Sequence, residues 1–180
     1  MILEITKALK CLNNEGILIY PSDTIWAIGC DATNLKAINK IYKIKKRNRS
    51  KPFICLMNDL KMSDKYVKNT NKIKNYLKNK TSPTTVVYDQ VKNLDTFPKS
   101  VAIRIPKDEF CSELIRKFNK PIISTSVNIS GQQIPFFFSD IKKEILDQVD
   151  YIVNLHLNHK LEKPSTIIKF ENDKIITLRS

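Results

Sequence analysis

Short apolar runs alternate with amphipathic segments along the whole of this 180-residue chain. Runs of this length are typical of strands, and they cover residues 17–20, 53–57, 84–88, 100–105, 151–155, 165–170 and 174–178, with another opening at Pro121. Some follow one another with no helical segment between them, which a purely parallel sheet does not permit. The pattern predicts an α/β fold: a single domain over residues 1–180 with a twisted mixed parallel and antiparallel sheet flanked by helices.

Apolar residues at helical spacing predict the flanking helices. Residues 2–12 form one such segment, and residues 61–80 have helical spacing in pieces. Three further helices are predicted to begin at the polar residues Asn34, Asp108 and Ser139. A side-chain oxygen at such a position accepts a hydrogen bond from a backbone N–H group that the first turn leaves unpaired.

The chain is strongly basic, with 31 Lys and Arg residues against 18 Asp and Glu residues and a formal charge of +13. A field of that sign favours anionic partners such as nucleotides and nucleic acids. Lys, Asn and Ile are abundant throughout, however, and a general bias of composition gives the same charge without a nucleic-acid site. No apolar run approaches the roughly 20 residues of a membrane helix, and the N-terminus lacks a signal-peptide pattern. We expect a soluble, cytoplasmic protein with no membrane partner.

Cysteine and histidine spacing argues against a protein-bound metal. The four cysteines lie far apart and form no C-x-x-C pair, which favours reduced, mostly buried thiols. His156 and His159 form an H-x-x-H pair, but no cysteine or acidic residue stands at metal-ligand spacing from them. No metal ligands are therefore predicted.

Five cations fall within seven residues of one stretch: Lys45, Lys46, Arg47, Arg49 and Lys51. Cations at the end of a helix are favoured by its macrodipole, which accounts for Lys45 and Lys46 as a solvated face. It does not account for Arg49 and Lys51, which continue the run up to an apolar strand. The stretch therefore fits either a solvated face or a site for an anion with several oxygens.

Two other segments place polar groups near the end of a strand. Pro21 breaks the first strand, and the small polar turn 22–24 follows it. Ligands of open α/β sheets collect at such carboxyl ends. Arg104 alternates with the apolar residues of strand 100–105, so a partner for its charge is required.

The strand that opens at Pro121 turns polar at Ser124, and residues 124–131 read S-T-S-V-N-I-S-G. Such a run offers hydroxyls, an amide and unpaired N–H groups to the oxygens of a ligand, as anion-binding nests do. The alternative is an ordinary turn rich in Ser and Thr. At the C-terminus, the runs 165–170 and 174–178 are joined through residues 171–173 as a hairpin, which brings Ser165 and Arg179 together at its open end.

Four ordered motifs give the chain a resemblance to the YrdC/Sua5 family, the threonylcarbamoyl-AMP synthases of tRNA modification. Residues 20–31 (Y-P-S-D-T-I-W-A-I-G-C-D) resemble the family's Y-P-T-D-T-x-Y-G-L-G-C-D motif, and Lys45, Arg47 and the pair Lys51-Pro52 resemble its K-x-R motif with a following K-P. Residues 124–131 resemble S-T-S-A-N-x-S-G, and residues 164–167 with Leu178-Arg179 resemble P-S-T-I and a final L-R. The resemblance covers nearly the whole chain and implies a YrdC-like fold in its short, single-domain form.

The resemblance implies a nucleotidyltransferase reaction. L-threonine takes up bicarbonate as a carbamate, which attacks the α-phosphate of ATP to give threonylcarbamoyl-AMP and pyrophosphate for the t6A modification of tRNA. Mg²⁺ is expected as the cofactor, held through the nucleotide rather than by protein ligands. The implied partners are ATP, L-threonine, bicarbonate and downstream threonylcarbamoyl-transfer proteins; direct tRNA or RNA contact is left open.

Site residues are implied by matching the family's motifs one by one. The catalytic set comprises Lys45, Arg47, Ser126 and Asn128. The ATP-binding set comprises Arg47, Lys51, Ser100, Ser126 and Arg179. The threonine-binding set comprises Thr24, Arg104, Ser124 and Ser165, with Arg104 as the partner of the amino-acid carboxylate. In this scheme Arg47 grips oxyanions in bidentate fashion and Lys45 acts as a mobile point charge, whereas Lys46 and Arg49 belong to a solvated face.

The chain departs from the family pattern at several places. Residues 26–28 (W-A-I) replace the usual Tyr-Gly-Leu, residues 81–83 (T-S-P) stand where Trp-Pro-Gly-Pro is common, and Leu56 occupies a position often held by histidine. These changes bear on the shape of the pocket. They also bear on its selectivity for threonine over serine, because the two amino acids differ by one methyl group.

Two alternatives from other classes stand beside the synthase interpretation. A basic RNA-binding module would bind RNA in a strongly salt-dependent way and form no adenylate. A catalytically inactive YrdC-like paralogue would keep the fold without the chemistry. The presence of Ser126 and Asn128 together with Lys45 and Arg47 favours the synthase over the inactive paralogue.

Overall fold

The computed structural model describes residues 1–161, 163–172 and 174–180. Nine strands are found in this described part of the chain: β1 (Leu18–Pro21), β2 (Trp26–Gly29), β3 (Ile54–Leu56), β4 (Thr84–Tyr88), β5 (Val101–Arg104), β6 (Ile122–Ser126), β7 (Tyr151–Ile152), β8 (Thr166–Glu171) and β9 (Lys174–Arg179). They form one sheet in the order β7-β1-β2-β6-β3-β5-β4-β8-β9.

The sheet mixes both pairing directions. The pairs β1–β7, β3–β5 and β4–β8 are parallel, whereas β1–β2, β2–β6, β3–β6, β4–β5 and β8–β9 are antiparallel. The predicted fold class is confirmed: a single-domain α/β fold with a mixed sheet. Consecutive strands without an intervening helix, such as β1 and β2, supply antiparallel pairs, as the sequence pattern required.

The described helices are α1 (Ile2–Asn13), α2 (Leu35–Ile44), α3 (Leu60–Ser63), α4 (Asn71–Asn79), α5 (Glu109–Phe118) and α6 (Lys143–Leu146), with a short 3₁₀ helix at Phe138–Asp140. Two predicted N-caps are confirmed. The side chain of Asn34 accepts a hydrogen bond from the N–H of Ala37 at 3.1 Å, and that of Asp108 accepts one from the N–H of Cys111 at 2.7 Å.

The prediction of a helix capped by Ser139 is wrong. Ser139 lies inside the 3₁₀ helix, and the backbone of Ile141 is extended (φ −73°, ψ 124°), so no helix continues through it. The short helix α6 begins after Lys142, which makes no side-chain cap. The following strand is also shorter than predicted, because only Tyr151 and Ile152 pair with β1.

Strand β2 was not predicted, although it is the strand that joins β1 to β6 in the sheet. All four of its residues are buried, and it pairs with β1 on one side and β6 on the other. Gly29 is required there, because a Cβ atom at this position would lie 2.1 Å from the carbonyl oxygen of Ile123. Ala27 is paired with Ser126 in the antiparallel β2–β6 register, so the turn 22–24 before β2 lies at the polar end of β6.

The predicted C-terminal hairpin forms from β8 and β9; residue 173 of its predicted turn lies outside the described residues. The four cysteines are free thiols, as predicted: Cys30, Cys55 and Cys111 are buried and Cys11 is partly buried. None of the helices in the described part of the chain has the length and apolar character that a membrane span requires.

Candidate active site

A cavity of about 300 Å³ opens where the turn 22–24, strands β3, β5 and β6 and the β8–β9 hairpin come together. Seven of the site residues predicted from the sequence line it: Thr24, Arg47, Arg104, Ser124, Ser126, Ser165 and Arg179. They come from five separate segments of the chain, so the fold itself assembles the group. The predicted residues Lys45, Lys51, Ser100 and Asn128 do not line this cavity.

Three of the lining side chains are arginines, and no acidic residue is found among the lining residues that the structure describes. The guanidinium of Arg47 is held at the loop before β3, where Nε donates to the carbonyl of Lys51 at 2.9 Å and Nη2 to that of Pro52 at 3.2 Å. It also lies 5.2 Å from the centroid of the Phe53 ring. The cavity wall is therefore positively charged, and one of its cations is fixed in direction.

Arg179 and Ser165 meet at the open end of the β8–β9 hairpin, which confirms the predicted juxtaposition. The guanidinium donates from Nε at 3.2 Å and from Nη2 at 2.8 Å to the carbonyl oxygen of Ser165. The Ser165 hydroxyl lies 2.7 Å from that of Thr85 on β4. Burial together with the charges of Arg104 and Arg47 lowers the pKa of Arg179. The cationic side chains are thus close enough to repel one another, which favours an anion between them.

Arg104 is almost fully buried on β5, and its partner within the protein is Asp23. Nη1 lies 2.5 Å from Oδ1 of Asp23 and donates to Oγ1 of Thr24 at 3.0 Å. Its Nε is buried and has no hydrogen-bond partner among the described residues. Asp23 was not among the predicted site residues, although it lies within the motif at 20–31; the signal available was the need of a buried arginine for a carboxylate.

The prediction of Lys45 as a mobile point charge is wrong. Lys45 is 1% exposed, and its ammonium donates to the carbonyl of Ser126, to the carbonyl of Asn128 at 2.7 Å and to Oδ1 of Asn128 at 3.3 Å. Burial and the nearby charge of Arg47 lower the pKa of Lys45 to about 7. The side chain lies beneath the polar turn after β6 because three oxygens there satisfy it.

The polar run at residues 124–131 forms a connected turn around this ammonium. The Ser126 hydroxyl donates to Oδ1 of Asn128 at 2.6 Å, and Nδ2 of Asn128 donates to the carbonyl of Gln132 at 2.6 Å. The N–H of Ser130 donates to the carbonyl of Lys45 at 2.8 Å. Gly131 closes the turn with φ of +86°, a conformation that favours glycine.

Asn128 and Ser100 line two neighbouring cavities instead. Asn128 contributes to one of about 670 Å³, which shares Ile134 with the candidate site. Ser100 contributes to one of about 490 Å³, which shares Pro52 with it. The side chains of Lys51 and Lys46 are exposed. Nine of the eleven predicted residues thus line the central cavity or one of its two neighbours, whereas Lys45 and Lys51 line none of the three.

The departures from the family pattern lie mainly behind the cavity. Leu56 is fully buried and stands beside Arg104 in the β3–β5 register, but it does not line the cavity. Trp26 is fully buried, and its indole N–H has no partner among the described residues. Neither Leu56 nor Trp26 is among the lining residues of the cavity.

A model of the Sua5/YciO/YrdC family, described as telomere recombination, matches residues 10–180. The chain belongs to this family. Among curated relatives of the family, a protein of Methanocaldococcus jannaschii is 36% identical over 99% of this chain and 84% of its own length; it is provisionally named a threonylcarbamoyl-AMP synthase. A protein of Pseudoalteromonas translucida, named threonylcarbamoyl-AMP synthase, is 27% identical over 95% of each chain.

Solved structures of the family share the fold. Escherichia coli YciO has a TM-score of 0.86 and 23% identity, with 100% of this chain and 90% of that chain covered. P. abyssi Sua5 complexed with L-threonine has a TM-score of 0.83 and 22% identity, with 97% of this chain covered. This chain spans 53% of that Sua5 chain, about half of its length.

Proposed function

We propose that the chain is an L-threonylcarbamoyladenylate synthase, a nucleotidyltransferase of t6A biosynthesis. The amine nitrogen of L-threonine first forms a bond to the carbon of bicarbonate, and water leaves, which gives the threonine carbamate. A carbamate oxygen then forms a bond to the α-phosphorus of ATP, and the bond from that phosphorus to the bridging oxygen of pyrophosphate breaks. The products are threonylcarbamoyl-AMP and pyrophosphate. The names of the curated relatives support this proposal, as does the similarity to a Sua5 structure that contains L-threonine.

The observation that carries the proposal is the gathering of Arg47, Arg104 and Arg179 around one small cavity without an acidic residue among its described lining. The reaction assembles a carboxylate, a carbamate and a triphosphate in one place. Fixed cations offset the repulsion among these groups and stabilise the charge that develops on leaving pyrophosphate. The hydroxyls of Thr24 and Ser124 also line the cavity and add neutral groups for further oxygens.

Threonine and ATP divide the cavity wall between them in this proposal. Arg104, Thr24, Ser124 and Ser165 bind L-threonine, with the guanidinium of Arg104 on its carboxylate. Arg47, Ser126 and Arg179 bind ATP, and Lys51 and Ser100 contact parts of the nucleotide that extend beyond the cavity. Holding three substrates in one geometry supplies much of the rate enhancement, since it converts an encounter into a step within one complex.

Lys45 and Asn128 serve the catalytic set through the turn after β6. The ammonium of Lys45 holds the carbonyls of both Ser126 and Asn128, and Oδ1 of Asn128 orients the Ser126 hydroxyl. Because the ammonium is buried, its positive charge acts on the site through the low-dielectric interior rather than by contact. This network fixes the position of the hydroxyl that faces ATP.

Mg²⁺ is proposed to enter with the nucleotide. The described lining of the cavity offers hydroxyls and cations but no carboxylate, so ATP oxygens and water would supply its ligands. When bound, the ion would neutralise charge on the phosphates. The protein's own contribution is the placement of arginine and hydroxyl donors around them.

Pyrophosphate release tests the proposal. The purified chain is incubated with ATP and Mg²⁺, and L-threonine and bicarbonate are added singly and together. We expect release only when both are present. Arg47→Ala should abolish it, whereas the matched substitution of an exposed cation two residues away, Arg49→Ala, should leave it near the wild-type rate. Release that does not depend on L-threonine would contradict the proposal.

Direct tRNA contact is a separate proposal, favoured by a cavity of about 590 Å³ whose lining includes Lys61, Lys74, Lys78, Lys80 and Lys107. Lysines around a groove attract the phosphate backbone by a salt-dependent mechanism. Wild-type protein should then bind tRNA with an affinity that falls steeply with salt, and Lys61→Ala/Lys78→Ala should weaken that binding. Unchanged binding by this variant would place any RNA contact elsewhere. We also propose that the protein is cytoplasmic, because its proposed substrate ATP and the tRNA that it would serve are found in the cytoplasm.

A further inference from the structure

Asp23 makes three hydrogen-bonded contacts with residues 104–108 beside the candidate site, although its side chain does not line the cavity. Oδ1 lies 2.5 Å from Nη1 of Arg104, and Oδ2 accepts a hydrogen bond from the backbone N–H of Lys107 at 3.1 Å. The N–H of Asp23 donates to Oδ2 of Asp108 at 3.2 Å. Asp108 in turn caps α5. The turn between β1 and β2 is thereby tied to the loop that joins β5 to α5.

The ion pair between Asp23 and Arg104 is buried on both sides. The side chain of Arg104 is 4% exposed and that of Asp23 is 11% exposed. Breaking such a pair from one side leaves an uncompensated buried charge, which is strongly destabilising. The side chain of Arg104 therefore stays in contact with Asp23, and other rotamers of this arginine are disfavoured.

This pairing engages only one corner of the guanidinium. The hydrogen bonds of Arg104 to Asp23 and Thr24 both come from Nη1, whereas Nε is buried without a partner among the described residues. A guanidinium carries five N–H donors and binds a carboxylate best through two parallel hydrogen bonds. Because Nε is buried, Nη2 is the nitrogen left for a second carboxylate.

We propose that Asp23 is a positioning residue for the amino-acid substrate, a role that rests on the proposed function. By holding Nη1, the Asp23 carboxylate directs the remaining donors of Arg104 toward the carboxylate of L-threonine. Two carboxylates then flank one guanidinium. The positive charges of Arg47 and Arg179 at the same cavity offset the second negative charge.

A charge-neutral replacement tests the role. Asp23→Asn keeps an oxygen for Nη1 of Arg104, but it loses the negative charge, and its amide can no longer accept from both Arg104 and Lys107 with carboxylate geometry. Binding of L-threonine and of a non-hydrolysable ATP analogue is measured by calorimetry on the full chain, and folding by thermal unfolding. We expect L-threonine affinity to fall about tenfold or more, since a charged hydrogen bond contributes at least that much. Affinity for the ATP analogue should stay within about twofold.

Asp31→Asn is the matched control. Asp31 is also a buried carboxylate in an ion pair, 2.8 Å from the ammonium of Lys120, but it does not line the cavity. Its substitution removes the same negative charge, from an ion pair in which the lysine side chain is 51% exposed. It should lower thermal stability while L-threonine and the ATP analogue bind as in wild type.

A second variant series separates positioning from folding. In an Arg104→Lys background, Asp23→Asn should add little further loss of L-threonine affinity, because the forked donor that Asp23 directs is absent. Asp23→Glu keeps the charge and should retain more L-threonine affinity than Asp23→Asn. Equal loss of L-threonine and ATP-analogue binding in Asp23→Asn, or wild-type L-threonine binding, would overturn the inference alone. Wild-type protein that does not bind L-threonine would overturn the proposed function and this inference with it.

Discussion

The ammonium of Lys45 lies 2.7 Å from the main-chain carbonyl oxygen of Asn128, although 83 residues separate the two in the chain. The same ammonium also contacts the carbonyl of Ser126. A helix end and the turn after β6 are thus joined by one buried charge. This relationship makes Lys45 a structural support of the candidate site.

Lys45→Met should loosen the turn after β6. The methionine fills a similar volume, but it leaves the carbonyls of Ser126 and Asn128 without their donor, at a cost of about 1–3 kcal/mol for each buried group left unpaired. We expect lower thermal stability and a large loss of threonine-dependent pyrophosphate release. The control is Lys46→Met, which changes an exposed neighbour. Equal stability and activity in the two variants would contradict the assigned role.

The pH dependence of stability should report the buried ammonium. The pKa of Lys45 is lowered from 10.5 to about 7, so between these values the unfolded chain binds more protons than the folded one. The contribution of this group to the free energy of unfolding therefore rises with pH: it is complete above about 10.5 and is lost as the pH falls through about 7. Denaturant unfolding of wild type and Lys45→Met across this range isolates the effect. If the free energy of unfolding of the wild type minus that of Lys45→Met does not rise with pH, the assignment of a lowered pKa to Lys45 is contradicted.

Arg47→Ala and Asn128→Ala should lose pyrophosphate release while remaining folded. Arg47 supplies a fixed cation at the cavity, and Oδ1 of Asn128 orients the Ser126 hydroxyl. We expect a decrease of about 100-fold or more in turnover, the scale found for removal of one donor of developing charge. Circular dichroism checks the fold. Near-normal turnover in both variants would place the site elsewhere.

Arg179→Lys should weaken ATP binding without removing positive charge. Lysine cannot reproduce the two donors, Nε and Nη2, with which Arg179 holds the carbonyl of Ser165. We expect the KM for ATP to rise about tenfold, equivalent to one charge-assisted hydrogen bond. Steady-state kinetics at saturating L-threonine and bicarbonate measures this. A KM for ATP equal to that of the wild type would show that the two-donor geometry of the Arg179 guanidinium is not needed for ATP binding.

Local sequence patterns predicted most of the fold. The caps at Asn34 and Asp108 and the mixed sheet follow from short-range spacing and from consecutive apolar runs. The cap at Ser139 failed because its sequence signal is local, whereas the extended backbone at Ile141 ends the helix. Strand β2 was missed because its residues are all buried and show no alternation.

The sequence indicated which residues come together at the candidate site better than it indicated how their side chains are paired and buried. Motif resemblance named seven residues that share one cavity. In the sequence, Lys45 is one of five neighbouring cations, and only the contact with residues 126–128 distinguishes it. Asp23 was missed for a related reason, since its partner Arg104 is 81 residues away. Burial and pairing of charges depend on such long-range contacts, which periodicity does not encode.

Detection of the adenylate product is the most direct test of the proposed synthase activity. The wild-type chain is incubated with ATP, Mg²⁺, L-threonine and ¹³C-bicarbonate, and the products are separated rapidly and analysed by mass spectrometry. We expect threonylcarbamoyl-AMP that carries the isotope, formed together with pyrophosphate and absent when L-threonine is omitted. Intact ATP with no labelled adenylate, under conditions in which L-threonine binds, would contradict it.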